Sequence, residues 1–210
     1  MTEPQRTVEV ERKYDADAGT PLPDWRGLPG VTEVSVGEER ALDARYFDTA
    51  DFALARAGVA LRRRTGGPDE GWHLKGPRHG EGRAEWGWPL GHPENEHESP
   101  PSGLMAEILR MTADPIAPIA RIENARTAYA LRGPDGVVAE FVDDHVQATD
   151  LRTGTRRAWR EWEMELGPAA PEDAAGRGAF FRAVEQAVRD AGGHPSASSS
   201  KLGRALGSEA

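Results

Sequence analysis

Short segments that alternate with period two, charged on one face and apolar on the other, recur along the chain and constrain its fold most. That period belongs to β-strands, whose successive side chains point to opposite faces. Residues 7–14, Thr-Val-Glu-Val-Glu-Arg-Lys-Tyr, open the series, with Glu9, Glu11 and Lys13 opposite Val8, Val10, Arg12 and Tyr14. At 59–64, Arg62 and Arg64 share a face with Ala60; at 72–75, His73 and Lys75 oppose Trp72 and Leu74. At 83–88, Arg83 and Glu85 oppose Ala84, Trp86 and Trp88. Glu140, Val142 and Asp144 form one row of 137–146. Glu161, Glu163 and Glu165 share a face of 161–166, opposite Trp162, Met164 and Leu166.

One such strand alone is explained by a wet face and a buried face. The set is sorted by sign, however: the first and last strands supply carboxylates and the middle ones guanidinium and ammonium groups. A solvated face usually intersperses its charges. If the sheet closes with its charged face inward, acids meet bases across a cavity and helices cover the apolar outside. Such a layout costs much desolvation and therefore marks a site.

Punctuation between the strands supports hairpins. Gly66-Gly67-Pro68-Asp69-Glu70-Gly71 and Gly133-Pro134-Asp135-Gly136 are turn signals, and a Pro/Gly-rich loop runs from Gly19 to Gly30. Extended pieces are expected at 31–36, 41–47, 116–132 and 137–149, and a strongly alternating one at 156–166. Asp48 or Thr49 is placed to cap a short helix ending before Gly58. The polar segment 91–101 reads as a surface loop, and 102–111 as a helix. A longer helix over about 172–191 carries Phe180, Phe181, Val184 and Val188 at helical spacing, and Gly192-Gly193 terminates it. Trp72, Trp86, Trp88 and Trp162 read as packing under helices, His73 as structural or solvated, and Arg156, Arg157 and Arg160 as surface charge.

Composition excludes several functions. There is no cysteine, so disulfides and thiolate metal sites are out. No secretory h-region or continuous apolar span appears, which implies a cytoplasmic location and no membrane partner. A formal charge of −9 argues against nucleic acid as a partner. The 210 residues suit a single domain, 1–210. Lys13, Lys75 and Lys201 are the only lysines in a chain that otherwise uses arginine, which singles out positions wanting a compact ammonium. Arg and Lys suit phosphate oxygens, and paired carboxylates suit hard cations such as Mg²⁺ or Mn²⁺. The chemistry indicated is a polyanion plus a metal.

Glu9-Val-Glu-Arg-Lys13 resembles the ExExK signature of the CYTH superfamily, the triphosphate tunnel metalloenzymes. Tyr46-Phe-Asp-Thr49, Ala60-Leu-Arg-Arg-Arg64, Trp72-His-Leu-Lys75-Gly76, Arg83-Ala-Glu85, Ala125-Arg126-Thr127, Glu161-Trp-Glu-Met-Glu165-Leu and Ser200-Lys201-Leu-Gly-Arg204 follow in the family's order. The match covers about residues 8 to 204, and is closest to the actinobacterial type often fused to a CHAD domain, of which no trace is read here. The resemblance implies an α+β fold, a closed eight-stranded antiparallel β-barrel (a tunnel) with helices packed outside. It implies substrate binding by Lys13, Arg62, Arg64, Lys75, Arg83 and Arg126, with Lys201 and Arg204 closing one tunnel end. It implies divalent metal, Mg²⁺ or Mn²⁺, on Glu9, Glu11, Glu163 and Glu165, with Glu140 and Asp144 as further candidates. Lys13 and Glu11 are the candidate catalytic residues. Asn124 stands where some members carry lysine, a departure for which Arg121 is the candidate compensation. The implied activity is metal-dependent hydrolysis of a triphosphate, inorganic or organic. Class IV adenylate cyclase chemistry and non-catalytic polyphosphate or nucleotide binding are the alternatives. The expected partner is a small-molecule triphosphate or polyphosphate, with a homodimer left open.

Overall fold

The computed structural model describes residues 4–90 and 100–207. Most of the expected loop at 91–101 lies outside the described residues. The strands are β1 (Gln5–Glu9), β2 (Glu11–Ala16), β3 (Glu33–Val34), β4 (Glu38–Asp48), β5 (Ala60–Thr65), β6 (Gly71–His79), β7 (Gly82–Trp88), β8 (Ala117–Gly133), β9 (Gly136–Asp150), β10 (Arg156–Leu166) and β11 (His194–Pro195). The helices are α1 (Ala53–Arg56), α2 (Ser102–Leu109), α3 (Ala174–Ala191) and α4 (Lys201–Leu206).

The strands pair in the order β1-β7-β6-β5-β4-β8-β9-β10-β2-β11, with β3 on β8. The registered pairs are antiparallel. Two expectations are corrected. The sheet has 11 strands rather than eight, and pairing among the described residues leaves it an open path rather than a closed barrel. The first alternating segment is divided at Val10. Glu9 stands opposite Arg83 on β7, whereas Glu11 stands opposite Glu165 on β10. The segment thus serves two neighbours in turn, β7 before Val10 and β10 after it. That division and the two-residue strands β3 and β11 raise the strand count.

By contacts the chain forms two compact units. The first comprises residues 1–9, 41–123 and 148–157. Its core joins Phe47, Leu61, Trp72, Leu74 and Trp88 from the strands to Leu54 of α1 and Leu104 and Ile108 of α2. The apolar half of each alternating segment thus packs under helices. Two side chains upstream of α1 satisfy its free backbone donors: Asp48 accepts from the Leu54 and Ala55 amides at 2.9 and 3.0 Å, and Thr49 Oγ1 from Ala53 N at 2.8 Å.

The second unit comprises residues 10–40, 124–147 and 158–210. Phe180, Phe181, Val184 and Val188 of α3 pack with Tyr14, Leu131, Phe141, Trp162 and Met164. Asp173 caps α3 by accepting from Gly176 N at 2.8 Å, and Gly192 ends it at φ 98°. Gly193 follows where a Cβ would lie 2.6 Å from the Trp162 ring. Arg160 is not surface charge. Its guanidinium is buried, bonded to Asp143 at 2.8 and 3.0 Å and to the Asp17 and Thr20 carbonyls at 3.0 and 2.7 Å. It anchors the loop after β2.

Candidate functional site

In each unit, the strand faces turned away from the helices carry a cluster of charge. In the first unit the register explains it: Tyr46 stands opposite Arg62, Arg62 opposite His73, and Lys75 opposite Glu85. Glu85 is 5% exposed and gathers Arg62 at 3.4 Å, His73 Nδ1 at 2.5 Å and Lys75 at 3.0 Å. Burial alone would raise the Glu85 carboxyl; the His73 hydrogen bond and the neighbouring cations override it and hold the group far below the usual range. His73 is therefore a buried partner of Glu85, and its Nε2 also meets the Asp69 carbonyl at 2.9 Å. Burial lowers the imidazole below its ordinary value, with Glu85 opposing. Glu9 pairs with Lys75 at 2.5 Å. Arg64 pairs with Asp69, and Arg83 donates to the Gly76 and Gly58 carbonyls at 2.6 and 3.4 Å.

The second unit holds the denser cluster. One carboxylate oxygen from each of Asp144 (β9), Glu161 and Glu163 (β10) lies within 4.8 Å of the others, and all three residues are buried. They are the candidate metal ligands among the described residues. Alternation puts Glu161 and Glu163 on one face of β10, and Glu163 stands opposite Lys13 on β2. Lys13 Nζ pairs with Glu163 and, at 3.0 Å, with Glu11. Arg126 of β8 forks onto Asp144 at 2.8 and 2.7 Å and reaches Glu163 at 3.0 Å. Lys201, the first residue of α4, contacts Asp144 at 2.8 Å, Glu161 at 2.6 Å and Glu163 at 2.8 Å.

Burial opposes the charges of Lys13, Arg126, Asp144, Glu163 and Lys201, and the partners win. Desolvation would raise Glu163 and Asp144, but Lys13, Lys201 and Arg126 hold Glu163 well below its ordinary 4.5, and Lys201 and Arg126 hold Asp144 below 3.8. Desolvation would lower Lys13 and Lys201, yet the carboxylates keep both above 10.5. Asp144, Glu163, Lys13 and Lys201 thus stay charged at neutral pH, the state in which carboxylates can take a divalent cation and ammonium groups a phosphate. The donor set fits a hard cation: three buried carboxylates, one with an unused lone pair. Glu161 Oε1 has the Lys201 ammonium nearby but accepts no well-aligned hydrogen bond.

Of the candidate metal ligands, Asp144 and Glu163 thus meet in one group, with Glu11 joined to it through Lys13. Glu9 is engaged with Lys75 in the first unit. Glu140 takes Arg40 at 3.1 and 3.2 Å, and Glu165 stands opposite Glu11. Arg204 turns to Asp15 at 2.5 Å and lies 4.8 Å over Trp159. Arg121 forks onto Asp43 at 3.1 and 2.7 Å, while Asn124 is buried with its Oδ1 lacking a hydrogen-bond partner. Glu161 joins Asp144 and Glu163 without being among the ligands that the family resemblance implies; its place on the same face as Glu163 is the sequence signal for it.

The CYTH domain family model matches residues 8–183. Two uncharacterized proteins of Mycobacterium tuberculosis, from strains CDC 1551 and H37Rv, are 36% identical over 216 residues, covering 97% of this chain and 41% of theirs. The chain therefore spans about two fifths of the length of these curated relatives. A solved Bacillus halodurans protein, named as a candidate adenylate cyclase, superposes with a TM-score of 0.64 at 21% identity, covering 95% of this chain and 97% of that one. A Hippeastrum candidate adenylyl cyclase, described as having a dominant triphosphatase activity, gives 0.50 at 16%, with coverages of 96% and 97%. At these identities the likeness establishes the fold.

Proposed function

Because the chain belongs to the CYTH family, whose members include triphosphatases and adenylate cyclases, we propose that it hydrolyses a triphosphate with Mg²⁺ or Mn²⁺. The observation that carries the reading is the buried group Asp144, Glu161 and Glu163 interlocked with Lys13, Arg126 and Lys201. A pure anion site needs cations alone; three buried carboxylates among them are explained by a divalent ion that accompanies the anion. The dominant triphosphatase activity described for the Hippeastrum protein of the same fold supports hydrolysis over cyclisation.

Asp144, Glu161 and Glu163 would hold the cation, which when bound neutralises phosphate oxygens and lowers the pKa of water. Lys13, Arg126 and Lys201 offer ammonium and guanidinium groups to the phosphate oxygens. Phosphoryl transfer asks mainly for such positioning and charge stabilisation. Glu11, which accepts from Lys13 at 3.0 Å, is the carboxylate assigned to take the proton of the attacking water. Water oxygen bonds to the terminal phosphorus, the bridging P–O bond breaks, and orthophosphate leaves a diphosphate. For Arg62, Arg64, Lys75 and Arg83 a phosphate-binding role rests on the family resemblance, and the first-unit cluster has the charge it needs. No helix among the described residues is long and apolar enough to cross a membrane.

The test compares wild type with Glu11→Gln and Glu161→Gln in phosphate release from inorganic triphosphate, with circular dichroism to verify folding. Loss of turnover in both folded variants is expected. Full activity in both would end the proposal, and cyclic AMP from ATP would replace it with the cyclase reading.

A further inference from the structure

Lys201 reaches all three carboxylates of the candidate metal group. Its ammonium has three donors, and it lies within 2.6 to 2.8 Å of one oxygen from each member of the Asp144, Glu161 and Glu163 group. Lys13 contacts Glu163 and Glu11, and Arg126 contacts Asp144 and Glu163. Lys201 contacts all three carboxylates. A divalent ion held by the same oxygens at about 2.0–2.6 Å and an ammonium at hydrogen-bond distance from them cannot share that space.

Helix α4, which carries Lys201, is held by contacts that do not involve its ammonium. The Ser200 side chain caps it by accepting from Gly203 N at 3.0 Å. Arg204 pins it to Asp15 and stacks on Trp159. Ser196, just before it, bonds Lys13 O at 3.0 Å and Asp15 at 3.1 Å. The flexible four-carbon stem of lysine can therefore swing its charge away while the helix stays docked.

We propose that Lys201 is a built-in counter-cation, which fills the carboxylate group in the metal-free protein and is exchanged for the divalent ion on binding. This rests on the reading that the group takes a divalent cation. The resident ammonium keeps three buried carboxylates compensated until metal arrives, and its release makes a cation available to the incoming anion. It also weakens apparent metal affinity, because a competent state populated one part in ten binds about tenfold more weakly.

Two measurements test the exchange. Calorimetric titration with Mn²⁺ compares wild type with Lys201→Met, which keeps the stem and removes the charge; affinity is expected to tighten about tenfold or more. Amine labelling read by mass spectrometry uses the unaltered protein, in which Lys13, Lys75 and Lys201 are the only lysines. Saturating Mn²⁺ is expected to raise labelling of Lys201 several-fold and leave Lys75 unchanged. Equal affinities with Lys201 protected throughout would overturn the exchange and leave the metal site standing. Tighter binding by the variant with Lys201 still protected in the wild type would also overturn it, since loss of charge alone explains that result. No Mn²⁺ binding by either protein would overturn both the exchange and the metal reading. If Lys201→Met does not fold, the labelling decides.

Discussion

Replacing Glu163 with glutamine removes the carboxylate on which three cations converge: Lys13, Lys201 at 2.8 Å and Arg126 at 3.0 Å. Its side chain is 11% exposed, so water cannot screen what is left. Removing one partner of a buried ion pair costs about 3–5 kcal/mol, because the other charge stays buried without compensation. Glutamine keeps the volume and one acceptor oxygen, and Asp144 and Glu161 still face Lys201, which places the loss at about 3 kcal/mol. At about 2–4 °C per kcal/mol for a chain of this size, the melting temperature falls by about 6–12 °C. Urea and thermal unfolding at neutral pH with EDTA measure it. Glu123→Gln, which removes an exposed partner of Arg121, is the control and should change little. A Glu163→Gln protein as stable as wild type within about 0.5 kcal/mol would refute the argument that this carboxylate anchors the cluster.

Three further outcomes follow from the same geometry. Asp144 and Glu163 are depressed below 3.8 and 4.5, so their stabilisation is complete above those values and lost as acid carries the pH through the lower folded values. Lys13 and Lys201 are raised above 10.5, so theirs is complete below that value and lost as the pH rises through the folded values. The stability gap between wild type and Glu163→Gln should thus be flat from about pH 6 to 9 and narrow below about pH 4 in a urea series; a gap that widens in acid would contradict the assignment. Arg62→Ala should raise KM for inorganic triphosphate about tenfold or more, as loss of a charge-assisted hydrogen bond to phosphate predicts; steady-state kinetics with unchanged KM would remove Arg62 from substrate binding. Gly193→Ala should destabilise by about 1–3 kcal/mol in chemical unfolding, since its Cβ would meet the Trp162 ring at 2.6 Å and Val188 at 2.9 Å; a neutral result would mean that the α3–β11 connection yields freely.

Period and sign were legible in the sequence because both are local. Alternation separates Tyr14, Trp162 and Met164, which reach the core, from Lys13, Glu161 and Glu163, which reach the charge cluster. Helical spacing likewise identified the buried face of α3. What alternation cannot give is the partner. The break at Val10 follows from pairing with two different strands, β7 before it and β10 after it, which lie far away in sequence. Arg160 looked like surface charge because its acceptors, Asp143 and the carbonyls of Asp17 and Thr20, lie far away in sequence. Arg204 and Lys201 share a motif, yet on α4 one turns to Asp15 and the other to the carboxylate group. Glu161 lay on the right face, but its place beside Asp144 requires the β9–β10 alignment, which no local pattern encodes.

The central claim is metal-dependent triphosphate hydrolysis, and a phosphate-release screen tests it most directly. Inorganic triphosphate, ATP, GTP, thiamine triphosphate and pyrophosphate are each offered with Mg²⁺, with Mn²⁺ and with EDTA, and the ATP reactions are resolved by chromatography. Orthophosphate released from a triphosphate with metal, abolished by EDTA and accompanied by no cyclic AMP, is the predicted result. Cyclic AMP with pyrophosphate, or no turnover of any triphosphate in the presence of metal, would contradict it.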